Sequence, residues 1–323
     1  MSGFIGLCRR EWLEHRGGFL WAPASVAAVI VVAVALVLIV GQLNLARVDL
    51  DLDISEAPGS NTEIRIDGED TSIGGLVDGW LAHHEWTDEA LSTHLAALRR
   101  GVAEPFHYVY FIVLVFVLLG ALYDDRKDRT VLFWKSVPVT DTETVLSKLV
   151  TAVWVAPAAT IAMVLAVQVF LLTVISGLAA TRETLGIWSI WANSGLFIGL
   201  VELLAGYLIQ GLWALPVTGW LLFISAAVNR GPFLWALFAP AALLVLEALV
   251  GLTSAVRDFI HDHLAFRALP RARPSDEDAL EHGVTGLGDS IGLLVTVELW
   301  MGIAVGAAFL AGAVHLRRTK NEI

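Results

Sequence analysis

A single cysteine, Cys8, stands among 323 residues, so the chain can form no internal disulfide and no cysteine-built zinc site. Lysine is almost as scarce: the four present, Lys127, Lys135, Lys148 and Lys320, follow Arg, Trp, Ser and Thr. A phosphate-binding P-loop needs Gly-Lys-Ser/Thr, because backbone amides and one lysine must meet the phosphates together. None exists here, so no nucleotide site of that kind lies on this chain. The Gly-x-Ser-x-Gly elbow of serine hydrolases and the His-Glu-x-x-His helix of zinc proteases are missing too. Only 16% of residues are charged, against a net charge of −11, which leaves no basic surface for nucleic acid.

What the chain has instead is apolar length. Hydrophobic residues make up 56%, and the mean hydropathy is +0.70. Runs of about 18 or more apolar residues mark membrane spans. Trp21 to Val40 carries no charge, lies too far along for a signal peptide's apolar core, and is followed by no small-residue cleavage site. It reads as a retained first span. The full expectation is an all-α polytopic membrane protein with six spans, at about 21–43, 106–122, 149–177, 206–228, 232–252 and 290–314.

Orientation follows from Lys and Arg, which are retained on the cytoplasmic side. With the N-terminus inside, segments 1–20, 123–148, 229–231 and 315–323 hold 12 basic residues. The outer segments 44–105, 178–205 and 253–289 hold 9, although they are more than twice as long. Both termini are therefore expected in the cytoplasm, which requires an even number of spans.

Residues 1–20 read as an amphipathic interfacial helix, with Ile5, Cys8, Trp12 and Leu13 opposite Arg9, Arg10, Glu14 and Arg16. Gly17-Gly18 then permits a sharp bend into the first span. The extracytoplasmic segment 44–105 is acidic, with thirteen acidic residues against four basic. Its VDLDLDI run (48–54) alternates like an edge strand, and 87–100 reads as a helix capped by Thr87. Residues 187–228 are nearly uncharged and, as one helix, would measure about 63 Å, twice a bilayer core. One span preceded by an outer surface helix bearing Trp188 and Trp191 is the preferred reading, with a kink at Pro216.

Residues 122–148 form a charged, amphipathic island between two apolar spans. Val131, Leu132, Phe133 and Trp134 sit amid charges, followed by Ser136-Val137-Pro138 and a helix-like run to Lys148. A short helix with one apolar face can seat in a partner's groove, and Asp125 and Arg129, four apart, can pair along it. An amphipathic helix lying on lipid headgroups is the plainer alternative.

This loop resembles that of ABC-2 type permeases, the membrane subunits of ATP-binding-cassette transporters. Asp125 and Arg126 stand for the family's acidic-basic pair, Thr130 for its threonine, and Val131, Leu132 and Phe133 for its apolar run. Ser136-Val137-Pro138 matches the turn, Glu143 the acid that follows and Lys148 the final lysine. Arg129 departs from the pattern, standing where the family commonly has glycine. The resemblance implies a single ABC-2 type transmembrane domain over 1–323, with no catalytic or metal site of its own. Its loop (123–148) would serve as a coupling helix docked on a separate cytoplasmic ATPase that carries ATP and Mg. Asp125, Arg126, Arg129, Thr130, Leu132, Phe133, Lys135, Pro138, Glu143 and Lys148 would form that interface. It further implies a second permease, identical or paralogous, in a bacterial inner membrane, working as an exporter. The extracytoplasmic segment 253–289 departs from the family's short apolar re-entrant hairpin, being longer, polar and amphipathic. It is expected to form outer surface helices with Phe259, Leu264 and Phe266 meeting the membrane.

Three acids interrupt apolar stretches: Glu202, Glu247 and Glu298. Such residues usually face a bundle interior or a water-filled path. Glu247 and Glu298 are candidates for a translocation path or a subunit interface, alongside a purely local role; Glu202 reads as local. His83, His84, His261 and His263 keep open a membrane-embedded metalloenzyme, although adjacent histidines cannot share one helical face. A non-transporting sensor or assembly protein, binding through 44–105, is the third class.

Overall fold

The computed structural model describes residues 2–43, 87–128, 139–182, 186–251, 253–270 and 287–319, and every element within them is helical. Six stretches are long and apolar enough to cross a membrane: Gly3–Ile39, Asp88–Lys127, Asp141–Thr181, Ile187–Trp213, Pro232–Val250 and Val297–Thr319. This is the all-α architecture of a multi-pass membrane protein. The strand expected at 48–54, the tip of the loop at 129–138, and His83 and His84 lie outside the described residues.

Helix α1 (Ser2–Leu43) runs unbroken through Gly17-Gly18, so the segment 2–20 is not a separate interfacial helix. Glycine permits a bend but does not impose one. Here the stacked rings of Trp12 and Phe19 bridge the pair, and Gly18 lets Val113 of the next helix come close. The side facing the bundle is also different from the expected one. Leu7, Glu11 and Phe19, on one i, i+4 row, are buried, whereas Ile5 and Leu13 are exposed. Helix α2 (Asp88–Lys127) starts at Thr87, whose hydroxyl accepts the Ala90 N–H at 3.2 Å, as a cap should. It continues through Pro105 and so joins the expected helix at 87–100 to the span at 106–122.

The third crossing begins with α3 (Asp141–Val150), opened by a capping box in which Thr140 and Glu143 satisfy each other's backbone N–H. A π-helical turn (Thr151–Val155) then leads into α4 (Pro157–Arg182). Pro157 has no N–H to donate, and its ring crowds the carbonyl four residues earlier, so the wider turn before it relieves both problems. The Tyr110 hydroxyl donates to the Ala152 carbonyl at 2.6 Å within that turn.

The uncharged stretch after it resolves into α5 (Ile187–Asn193), α6 (Leu196–Trp213) and α7 (Leu215–Ala227), the last opening with Pro216 in its first turn. Pairings with α2 show that α6 and α7 form one broken column running alongside it. Arg99 meets Glu202, His107 meets Tyr207, Leu119 meets Ser225 and Arg126 meets Val228. The fourth column is therefore residues 196–227, longer than the expected 206–228 and interrupted at Ala214, two residues before Pro216, where the kink was expected. Helix α5 precedes it, with Trp188 fully outward.

Helix α8 (Pro232–Val250) leads into α9 (Ala255–Leu264), and α10 (Leu287–Gly292) precedes the last helix, α11 (Val297–Thr319). Helix α7 lies at the centre of one half of the bundle, packed between α2 and α11. The approach of α7 to α11 is close because a side chain at Gly219 would meet the Gly306 carbonyl at 2.7 Å, and one at Gly306 would meet Leu215 backbone atoms at 2.7 Å. Gly302 and Gly306 have the Gly-x-x-x-Gly spacing that lets membrane helices pack this tightly.

Residues of the N-terminal helix, the end of α2, the start of α3 and the end of α11 all meet at one end of the bundle, called here the terminal end. The opposite, distal end is marked by Arg99 and Glu202. Segment 255–270 does not lie on the distal surface, as its polarity led one to expect. The Trp213 indole donates to the Asp262 carbonyl at 2.7 Å, and the Gln210 amide donates to that of Ala265 at 3.2 Å. Phe266 packs edge-on against Tyr108 and Phe111 of the second span. The segment is folded back into the bundle.

Candidate functional site

The flanks of residues 129–138 carry the densest buried chemistry among the described residues. Lys148 points its ammonium between two carboxylates, 3.2 Å from both oxygens of Glu11 and 3.3 Å from Asp125. Arg317 lies beside them, donating to Asp125 at 3.3 Å and to Asp141 at 3.1 Å. The side chains of Glu11, Lys148, Asp125 and Arg317 are each 5% exposed or less, so water screens them little. Arg10, 3.5 Å from Glu11, supplies a third cation to the three carboxylates. A buried charge without a partner costs several kcal/mol, and this balance is what makes the cluster tenable.

Helix geometry explains part of the arrangement. Asp141 sits in the first turn of α3 and Arg317 in the last turn of α11, each where its charge opposes the local end of the helix dipole. Asp125, in the last turn of α2, is misplaced by that criterion, and the two cations compensate. Arg126 turns the other way. Its guanidinium donates at 2.8 Å to the carbonyls of Ser225 and Val228, which end α7 and have no helical partners of their own. Ser225 in turn accepts the Leu122 and Tyr123 N–H groups at 3.0 Å and donates to the Leu119 carbonyl at 2.7 Å.

Asp125, Arg126, Glu143 and Lys148, expected at an interface, are thus engaged within the chain: three are buried and Glu143 caps α3. They form the base of the loop. Arg129, Thr130, Leu132, Phe133, Lys135 and Pro138 lie outside the described residues. Glu11 and Arg317 were not singled out from the sequence. Glu11 stands on the Leu7–Phe19 row with His15, two polar residues between apolar ones, which was the available signal. Arg317 read only as a topological marker.

The other acids have local partners or none. Glu202 is held by Arg99 at 3.2 Å and Arg100 at 3.5 Å, while Arg99 also donates to the carbonyls of Ser194 and Gly195. Glu247 accepts the N–H groups of Val256 and Arg257, both at 2.8 Å, and so caps the start of α9. Glu298, in the first turn of α11, is exposed, and no hydrogen bond joins it to Glu247 among the described residues. His263 is buried against Trp213 and Phe259, with Nδ1 at 2.8 Å from the Phe259 carbonyl, while His261 is exposed. Among the described residues no three His, Cys, Asp or Glu side chains converge as a metal site would require.

Comparison of the chain with protein-family models, with curated proteins and with solved structures finds no match.

Proposed function

We propose that this chain is the permease subunit of an ATP-binding-cassette transporter of ABC-2 type, an exporter in a bacterial inner membrane. A separate cytoplasmic ATPase would bind residues 129–138, and a second permease would complete the pathway. The observation that carries this reading is the clamp at the base of that loop. Arg317 joins Asp125 before the loop to Asp141 after it, and Lys148 extends the joint to Glu11. A push on the loop therefore reaches α1, α2, α3 and α11 together, which is what coupling between a distant ATPase and the spans requires. The loop's resemblance to the family and the missing P-loop support the same division of labour.

The test is co-purification in mild detergent. The native chain should bring a stoichiometric ATPase subunit, and Phe133→Asp or deletion of 129–135 should lose it while the bundle stays folded. Retention of the ATPase by these variants would overturn the proposal.

A further inference from the structure

Helix α9 lies at a depth that its charges make costly. On α2, Glu104 and Asp125 are 21 residues apart, about 31 Å along the helix and close to the thickness of a hydrocarbon core. We take these two charged residues as the boundaries of that core. His107, paired with Tyr207, is about 5 Å inside the distal boundary, and Trp213 is about 9 Å further along its helix. The far end of α9 rests on Trp213 and Gln210. Its near end is capped by Glu247, which is 11 residues beyond Ala236, and Ala236 is level with Trp220 through the Trp220 indole bond. That places Glu247 about 16 Å distal of Trp220, again at the level of Gln210. Both ends of α9 therefore share one level, and the helix lies crosswise inside the outer half of the bundle.

One side of this element is sealed by protein. His263, Ala268 and Leu269 are buried, and the Ala268 N–H and carbonyl are taken by Gln210 and Ser290. The other side carries Arg257, Asp258 and His261, whose side chains are 69%, 56% and 75% exposed. Arg257 and Asp258 pair at 3.2 Å, which lowers the cost of facing lipid at such depth without removing it, and His261, 3.8 Å from Asp262, is screened less. Irregular backbone such as 265–270 is tolerated only inside protein or beside water. We propose that the face of α9 bearing Arg257, Asp258 and His261 is the floor of a water-filled recess that opens at the distal end. With a guanidinium, a carboxylate and an imidazole together, this floor suits hydrated polar or zwitterionic solutes rather than apolar ones. Its outward opening rests on the topology with both termini in the cytoplasm; its existence does not depend on an ATPase partner.

The test uses the full chain in a Cys8→Ser background, with His261→Cys, Asp258→Cys and Leu246→Cys made singly. Leu246 lies on the exposed apolar side of α8 at nearly the same level. All three side chains are exposed, so none of the substitutions empties a core site. The probe is a sulfonated, membrane-impermeant maleimide applied to right-side-out and inverted vesicles, with SDS-dissolved samples giving full labelling. His261→Cys and Asp258→Cys should label in right-side-out vesicles at least about tenfold faster than Leu246→Cys. Labelling no faster than Leu246→Cys would overturn the recess, the face being covered by lipid or a second copy. Labelling confined to inverted vesicles would overturn its distal opening. Labelling as expected without a co-purifying ATPase would leave the recess standing and defeat the transporter reading alone.

Discussion

Lys148 holds its ammonium within 3.3 Å of Glu11 and Asp125, with a side chain only 2% exposed. Lys148→Met keeps most of the volume but leaves Glu11 only Arg10, 3.5 Å away and shared with Glu14, and His15 at 4.0 Å. Loss of one partner from such a buried pair costs about 3–5 kcal/mol, so this variant should unfold markedly earlier in an SDS titration. Glu11→Gln added to it should recover part of the loss, with a coupling of about 0.5–3 kcal/mol in a double-mutant cycle. Simply additive losses would show that the two side chains do not act as a pair. Glu14, 45% exposed and paired with Arg10 on the surface, is the contrast, and Glu14→Ala should shift stability by less than about 1 kcal/mol.

At the scale of elements, the tightest joint is α7 on α11. A valine at Gly306 would drive its Cβ into the backbone of Leu215, and overpacking of this kind typically costs about 1–3 kcal/mol. Gly306→Val should therefore lower the thermal midpoint in detergent. Gly177→Ala, where a side chain meets open space, should leave it unchanged or raise it. Equal effects of the two would remove close approach as the explanation. Much of this layer was readable beforehand. The long apolar runs gave the crossings, and Thr87 gave the start of α2. The Thr140–Glu143 spacing and the Gly302–Gly306 spacing were legible signals as well, although neither was read. The depth of α9 was not legible. Its charges are those of a surface helix, and only contacts of this segment with Trp213, Gln210, Tyr108 and Phe111, from distant parts of the chain, place it inside. Glu11 posed the same difficulty, since its buried partner Lys148 lies 137 residues away in sequence.

For the whole molecule, six crossings bring both chain ends to one side, and the buried cluster joins them there. Reporters fused before Ser2 and after Thr319 should be protected together in right-side-out vesicles, while a tag within 44–86 should be exposed. Opposite protection of the two ends would contradict the arrangement. The clamp also has a consequence for how the protein is made. Its members emerge from the ribosome in the order Glu11, Asp125, Asp141, Lys148 and Arg317, and Arg317 lies 192 residues after Asp125 and 176 after Asp141. Lys148 can neutralise Glu11 as soon as the third crossing is inserted, but Asp141 must wait for the sixth. Until then the half-built bundle carries an unmet acid at the membrane edge, so arrival of the last helix is the event that completes charge balance. Closure of the clamp therefore waits for the sixth crossing, and a product halted before Arg317 leaves Asp141 without its guanidinium and Asp125 one cation short.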